Sequence, residues 1–257
     1  MLALLLQVVL QDTVPVRAPV APAAAPTSTW HAAASAGTER FSSDQKTWQP
    51  WLTAQASLRH RGRGNALGVE IQRTRRFDQW DQSYVVDAYQ SVTSRTYANV
   101  RVLITPNAKI VARNDVSAEL YRALSGGWEA SVAGRRMEFA AGRTGIVSTS
   151  LARSFDAYYA RLRAGAVLGN GGAGSFSALL RRAPDENQLI EAGANVGREV
   201  VSIAASGEID IRSASGAYAR AERYLDRHWG VAVIATLATA RNIPSRSGAQ
   251  LSLLRRW

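Results

Sequence analysis

The chain has 257 residues, with 31 Lys+Arg against 20 Asp+Glu and a formal net charge of +11. That length suits one large domain or two small ones, and the absence of cysteine excludes disulfides, thiolate metal sites and cysteine nucleophiles. The arginine excess fits either GC-rich codon usage or a positive surface that attracts anions, and no basic block or nucleic-acid motif indicates binding to nucleic acid.

The first 26 residues predict a signal peptide followed by a Pro/Ala-rich segment. Leu2 to Leu10 is a short apolar run, well below the roughly 20 residues that a membrane-spanning helix needs. Small residues such as Ala21 and Ala23 follow at a candidate cleavage point, although no Lys or Arg precedes Arg17. The alternative is a disordered arm. The domain prediction is 1–26 for this segment and 27–257 for one barrel domain.

From residue 27 onward, apolar residues recur with a period of two, which is typical of β-strands with one apolar face. Fourteen such stretches are separated by turn-like segments such as RGRG, GNGGAG and NIPSRSG. In chain order they are residues 30–37, 52–59, 67–72, 84–88, 98–105, 116–121, 128–133, 144–154, 158–166, 176–180, 190–196, 217–222, 229–237 and 249–257.

The strands favour a membrane barrel over a soluble sandwich. Many are longer than the five or six residues that are common in soluble sheets, and no helical pattern is available to cover their apolar faces. The opposite faces are rich in Gly, Ser, Gln, Asn, Glu and Arg, which suits a polar lumen. In lipid every backbone group must be paired, so the sheet must close. The sequence predicts an all-β fold, a transmembrane antiparallel up-and-down β-barrel of 12–14 strands, with a count of 14.

Tryptophans lie at the predicted strand ends, where the amphipathic indole ring suits the membrane interface. Tracing the chain up and down from a periplasmic start assigns the seven to two girdles. The predicted periplasmic girdle is Trp30, Trp128, Trp229 and Trp257, and the predicted outer girdle is Trp48, Trp51 and Trp80.

The stretch SGAQLSLLRRW resembles the C-terminal signal that the barrel-assembly machinery recognises in outer-membrane barrels. Trp257, Leu253, Leu251 and Ala249 fit that pattern, whereas Arg255 departs from it. The resemblance implies that this machinery is a partner, together with outer-membrane lipid and lipopolysaccharide.

The central block ELYRALSGGWEASVAGRRMEF, followed by DAYYARLRAG and later EAGANVGRE, resembles the YaiO-like outer-membrane β-barrel family. The resemblance covers most of residues 28–257. It implies an outer-membrane barrel without an established catalytic activity, in a family of which some members are connected with cell-surface polysaccharide. It supplies no site residues to transfer.

An enzyme would need a nucleophile, a base and an orienting group within reach of each other. The chain has three histidines, His31, His60 and His228, and the first two fall near the periplasmic ends of neighbouring strands. No serine nucleophile motif accompanies them, and no His/Asp/Glu cluster has metal-ligand spacing. We therefore predict no catalytic residues, no metal and no cofactor.

Charged residues alternate with the apolar faces and are predicted to line the lumen. They either pair across the barrel and plug it, or line a pore in which arginine favours anions. Barrels of 12–14 strands lie between small filled ones and wide porins, so both remain open. The candidates are Glu70, Asp87, Arg101, Glu119, Glu129, Arg161, Arg163, Glu191, Arg220 and Glu222.

The leading hypothesis is a non-enzymatic, porin-like barrel in the outer membrane of a Gram-negative bacterium. Its role would be structural, or a narrow pore for anionic or saccharide solutes. External loops such as NGGAG and PSRSG are predicted to be short, which disfavours a receptor for large ligands. The alternatives are a barrel enzyme acting on lipid or lipopolysaccharide and a soluble periplasmic β-sandwich.

Overall fold

The structure is a computed structural model that describes residues 28–42, 49–76, 78–140, 142–168, 174–203, 208–241 and 243–257. The predicted signal peptide and Pro/Ala-rich segment, residues 1–26, lie outside the described residues, and so does Trp48.

The described residues form fourteen strands, each hydrogen-bonded antiparallel to the next, and the first pairs with the last to close a barrel. The strands are β1 (Thr29–Ser42), β2 (Trp51–Arg61), β3 (Asn65–Arg76), β4 (Gln79–Ser91), β5 (Thr96–Ile104), β6 (Asn114–Ala123), β7 (Trp128–Phe139), β8 (Gly142–Phe155), β9 (Tyr158–Leu168), β10 (Gly174–Asp185), β11 (Gln188–Ile203), β12 (Glu208–Tyr224), β13 (Trp229–Ala240) and β14 (Ile243–Arg256). One 3₁₀ turn, Ser125–Gly127, precedes β7. The predicted fold class and the count of 14 are confirmed.

The two ends of the barrel differ. Because the strand number is even, β1 begins where β14 finishes, and we name that side the terminal end and the opposite side the loop end. Main-chain hydrogen bonds join Trp30 and Trp257 in both directions there, at 3.0 and 3.1 Å. Connections at the terminal end have two to four residues, whereas the loop end includes the nine-residue connection 105–113. Outer-membrane barrels place short turns in the periplasm and longer loops outside.

The outward face of the barrel is apolar and uncovered. Leu67 and Ile71 on β3 are 53% and 51% exposed, and Leu237 on β13 is 62% exposed. In water such a continuous apolar band would be a strong liability, whereas the hydrocarbon of a bilayer accepts it. No helix within the described residues is long and apolar enough to cross a membrane.

The prediction that external loops are short does not hold at two places of the loop end. Residues 105–113 fold inward, with Thr105 and Ile110 buried. The hairpin of β11 and β12 continues as a two-stranded ribbon, since residues 208–213 pair with β11 before β12 first meets β13 at Ala214. Residues 105–113 lack the apolar alternation that marks a strand inside the membrane, whereas the ribbon continues that alternation at Ile209 and Ile211, before the predicted stretch 217–222.

Candidate functional site: the barrel lumen

The strand alternation places all ten predicted lumen candidates on inward-facing positions, each next to an exposed apolar residue of its own strand. Side chains on the inward face can meet across the barrel, so the lumen is the candidate site. The candidates lie as follows: Glu70 on β3, Asp87 on β4, Arg101 on β5, Glu119 on β6, Glu129 on β7, Arg161 and Arg163 on β9, Glu191 on β11, and Arg220 and Glu222 on β12.

The lumen wall formed by β6 to β9 is held by two arginine–carboxylate pairs. Arg163 donates to both carboxylate oxygens of Glu119, at 2.7 and 2.6 Å, and the Ser131 hydroxyl donates to the same carboxylate at 2.5 Å. Nearer the loop end, Arg135 binds Asp115 in a bidentate manner, at 2.8 and 2.5 Å. Bidentate guanidinium–carboxylate pairs are strong hydrogen-bonded ion pairs, so these two pairs cross-link β6 to β7 and β9.

The wall formed by β10 to β12 contains the most buried carboxylate of the lumen. Glu191 is 1% exposed and accepts hydrogen bonds from Arg181 at 2.6 Å and from the Tyr218 hydroxyl at 2.8 Å. Arg220 and Glu222, two residues apart on β12, form a further pair at 2.6 Å. A buried charge is tolerated only when it is paired and hydrogen-bonded, and Glu191 meets both conditions.

The wall formed by β2 to β5 is looser. Arg59 lies 3.9 Å from Asp87, and Arg101 lies 4.0 Å from Glu70. Asn99 donates to Asp87 at 3.3 Å. The Arg59 side chain is 33% exposed, so water reaches the lumen along this wall.

Four inward tyrosines and Glu129 form a cluster towards the terminal end of β4 to β9. The Tyr97 ring stacks on Tyr121 with centroids 4.6 Å apart, and Tyr89 lies 5.0 Å from Tyr97. The buried Glu129 carboxylate accepts hydrogen bonds from the hydroxyls of Tyr97 and Tyr159. This cluster narrows one side of the lumen.

The connection 105–113, here called the inner loop, is held by one carboxylate. Asp81 of β4 accepts the main-chain N–H of Lys109 at 3.0 Å, of Ile110 at 2.7 Å and of Val111 at 2.9 Å. Successive N–H groups that converge on one anion form a nest, and charge-assisted hydrogen bonds of this kind are about twice as strong as neutral ones.

The inner loop is also held on its other side. Ala112 packs in a buried apolar cluster with Met137 and Phe139 of β7, and Thr105 shares a 2.7 Å hydroxyl hydrogen bond with Ser83. The loop therefore bridges β4 to β7 inside the loop-end mouth and reduces its width.

The prediction that Trp51 belongs to the outer girdle is wrong, because its ring lies inside the barrel with 2% exposure. It packs edge-on against Phe41 with centroids 4.7 Å apart. The guanidinium carbons of Arg76 and Arg246 lie 4.2 and 4.8 Å from its ring centre, and Arg246 lies 3.3 Å from Glu39. Successive side chains of a strand lie on opposite faces, and Trp51 lies on the same face of β2 as the inward residues Thr53 and Gln55.

The other tryptophans of the described residues are exposed at the strand ends. Trp80 lies at the loop end with 41% exposure. The remaining four lie at the terminal end with 39% to 53% exposure: Trp30, Trp128, Trp229 and Trp257. These positions are those that amphipathic anchors occupy at a bilayer interface.

The histidines do not form a catalytic pair. His60 points outward, where its ring lies 4.7 Å from that of Trp30, whereas His31 points inward and lies 3.4 Å from the Tyr224 hydroxyl. His228 lies in a terminal-end turn, where its Nδ1 lies 3.1 Å from the Arg256 carbonyl oxygen. Among the described residues no three His, Asp or Glu side chains converge as a metal site requires.

Sequence reasoning missed several lumen residues. Asp115, Arg135 and Arg181 occupy the same inward parity as the predicted candidates, so a complete reading of each strand would have included them. The inward tyrosines alternate with apolar residues in the same way. Asp81 shares the inward parity of Asp87 on β4, but its role has no sequence signal, because its partners are main-chain groups of an irregular loop.

The fold resembles solved outer-membrane barrels at low sequence identity. CymD, titled a monoaromatic hydrocarbon channel, has a TM-score of 0.56 at 9% identity, over 91% of this chain and 88% of that one. Omp33 of Acinetobacter baumannii has a TM-score of 0.51 at 13% identity, over 89% and 99% of the two chains. OpdO of Pseudomonas aeruginosa has a TM-score of 0.50 at 7% identity, over 90% and 96%.

A comparison with curated proteins gives no significant match. The model of the YaiO membrane beta barrel domain matches residues 31–200, which is more than half of the chain. The barrel, its apolar belt and this match place the protein in the outer membrane of Gram-negative bacteria. The chain belongs to the YaiO membrane β-barrel family.

Proposed function

We propose that this barrel is a non-enzymatic, narrow passage for small anionic or saccharide solutes. The observation that supports the proposal is the inner loop, which Asp81 holds inside the loop-end mouth above a lumen lined with charged side chains. A loop held inside the mouth narrows the passage and would restrict it to small solutes.

The lumen supports small and hydrophilic solutes. Its charged groups are paired, but several keep contact with water, including Arg163 at 19% and Glu222 at 19% side-chain exposure. Arginines attract anions, and the mixture of guanidinium, carboxylate and hydroxyl groups offers both donors and acceptors to a sugar. The likeness to barrels titled as channels concerns the fold alone, so the proposal depends on the lumen.

The enzyme alternative has no support from the lumen geometry. A base and a nucleophile must lie within hydrogen-bond reach of each other, and His31 and His60 lie on opposite faces of the sheet. The proposal also includes a link to surface polysaccharide, contact with lipopolysaccharide, and delivery by the barrel-assembly machinery through β14. All three follow from the family and the location rather than from a contact.

The test is conductance in planar bilayers, with the reversal potential measured in a KCl gradient. We expect small channels with a preference for chloride. Arg163→Gln leaves Glu119 uncompensated and shifts the reversal potential towards cations, whereas Glu119→Gln shifts it towards anions. Arg136→Gln, on the exposed face of β7, is the matched control and leaves the potential unchanged. If neither the native barrel nor Asp81→Asn conducts, the lumen is a plug and the role is structural.

A further inference from the structure

The terminal end carries three outward arginines, on β8, β10 and β14, that stack on interface aromatics. Each arginine lies near the terminal end of its strand, and its guanidinium group lies over the ring of an aromatic residue paired with it on the adjacent strand. The pairs are Arg153 over Trp128 at 5.2 Å, Arg182 over Tyr158 at 5.9 Å, and Arg255 over Trp229 at 4.9 Å and over Trp257 at 5.2 Å. We name these three arginines the arginine collar.

The collar arginines are exposed on the outward face and have no other partner among the described residues. None of Arg153, Arg182 and Arg255 forms an ion pair or donates a hydrogen bond there. The lumen arginines differ, since Arg163 and Arg181 each bind a carboxylate. The collar therefore presents unused guanidinium N–H donors at the level of the aromatic anchors.

Four acids lie at the turns of this end, Asp156, Asp185, Glu186 and Asp226, and among the described residues none of them forms an ion pair with a collar arginine. Asp226 accepts main-chain N–H groups of His228 and Trp229 at 2.6 and 2.7 Å, and Asp185 accepts that of Asn187 at 2.7 Å. These two carboxylates are occupied by the turns that contain them. The positive charge of the collar is left facing the membrane interface.

We propose that the arginine collar binds the phosphates of anionic phospholipids in the inner leaflet. The guanidinium group fits phosphate in a bidentate manner, and stacking on an aromatic ring fixes its plane while leaving its N–H edges free. Aromatic anchors set the depth of the interface, and the short turns assign this end to the periplasmic side. The occupant is therefore a phospholipid headgroup and not the lipopolysaccharide of the opposite leaflet.

The experiment uses the full chain in phosphatidylcholine vesicles that contain brominated lipid, with tryptophan quenching as the readout. Four of the five exposed tryptophans of the described residues lie at the terminal end, so the signal reports mainly on the collar. A basic residue near an anionic surface contributes about 1 kcal/mol, which corresponds to roughly fivefold in binding. We expect brominated phosphatidylglycerol to be preferred over brominated phosphatidylcholine by about fivefold, and less at high salt.

Two sets of variants separate a collar from general attraction to a basic protein. Arg153→Gln/Arg182→Gln/Arg255→Gln should reduce the preference to about onefold, with folding verified by heat-modifiability on a gel. Arg136→Gln/Arg143→Gln, exposed near the loop end, should keep it. Changing the three collar arginines to lysine should retain part of it, because lysine keeps the charge without the planar fork.

Three results would overturn the proposal. The first is equal quenching by the two lipids in the native protein. The second is a preference that survives the collar substitutions or is lost equally in the control variant. The third is relief of quenching by added lipopolysaccharide at equal phosphate, which would assign the collar to the other lipid.

Discussion

The substitution Asp81→Asn should release the inner loop without unfolding the barrel. The native carboxylate accepts three main-chain N–H groups, and hydrogen bonds to a charged group contribute roughly 2 kcal/mol each. The amide of asparagine offers one acceptor oxygen, so at most two neutral bonds of roughly 1 kcal/mol remain. The free energy of opening the loop should fall by about 4 kcal/mol, or about a thousandfold in the opening equilibrium.

Amide hydrogen exchange measures that opening directly and does not depend on whether the barrel conducts. The amides of Lys109, Ile110 and Val111 should exchange faster by that factor, while amides in the middle of β4 and β7 keep their rates. Local opening of this kind leaves the rest of a structure protected.

The matched control is Asp78→Asn, which removes the same charge at the same end. Asp78 is 63% exposed and pairs with Arg75 rather than with the inner loop. Its positive φ of 61° suits asparagine, so the turn should be preserved. Unchanged exchange of the three loop amides in Asp81→Asn would refute the reasoning, and equal acceleration in every strand would show that the anchor supports the whole barrel.

Three further predictions concern the lumen wall and a turn. Arg181→Ala leaves the Glu191 carboxylate buried without its cation, so the free energy of unfolding, measured by urea titration, should fall by about 3 to 5 kcal/mol. The double variant with Glu191→Gln should recover part of that loss, because the buried charge is removed. Gly193→Ala places a Cβ atom 2.4 Å from the ring of Tyr218, which hydrogen-bonds Glu191, and should lower the free energy of unfolding by about 1 to 3 kcal/mol. Gly134→Ala is the control, because the space around Gly134 is open, and it should leave the free energy of unfolding unchanged. Equal effects of the two substitutions would argue against tight packing at Gly193. The main-chain N–H groups of Trp229 and His228 hold the pKa of Asp226 below its ordinary 3.8. The carboxylate therefore stabilises its turn above pH 3.8, and this stabilisation is lost as the pH falls through the lowered pKa. Hydrogen exchange of the turn amides that does not change with pH in this range, after correction for intrinsic rates, would contradict the prediction.

The fold was predictable because a bilayer imposes a strict pattern on a closed sheet. The apolar parity of each strand must face lipid, so all fourteen strands could be identified from alternation alone. Their bounds could not, since strands continue beyond the hydrocarbon where alternation is no longer required. The prediction for β12 covered 217–222, whereas the strand runs from Glu208 to Tyr224.

The site was predictable only where it follows strand parity. The ten charged candidates required nothing more than alternation, and the missed Arg181 obeys the same rule. Trp51 was misassigned because an aromatic at a strand end suggests an interface, although its parity places it inside. The inner loop depends on the approach of a β4 carboxylate to main-chain groups about thirty residues later, and no local pattern encodes that contact.

The seam between β1 and β14 has a kinetic consequence. His31 pairs with Arg256, so the contact that closes the barrel joins residues far apart in sequence. Every other strand pair forms between neighbours in the chain. Contacts of such long range form slowly, and until this one forms, β1 and β14 each expose an unpaired edge that invites aggregation. The docking of β14 onto β1 should therefore limit the rate of assembly. The hydrogen bonds between these two strands should be among the last to form.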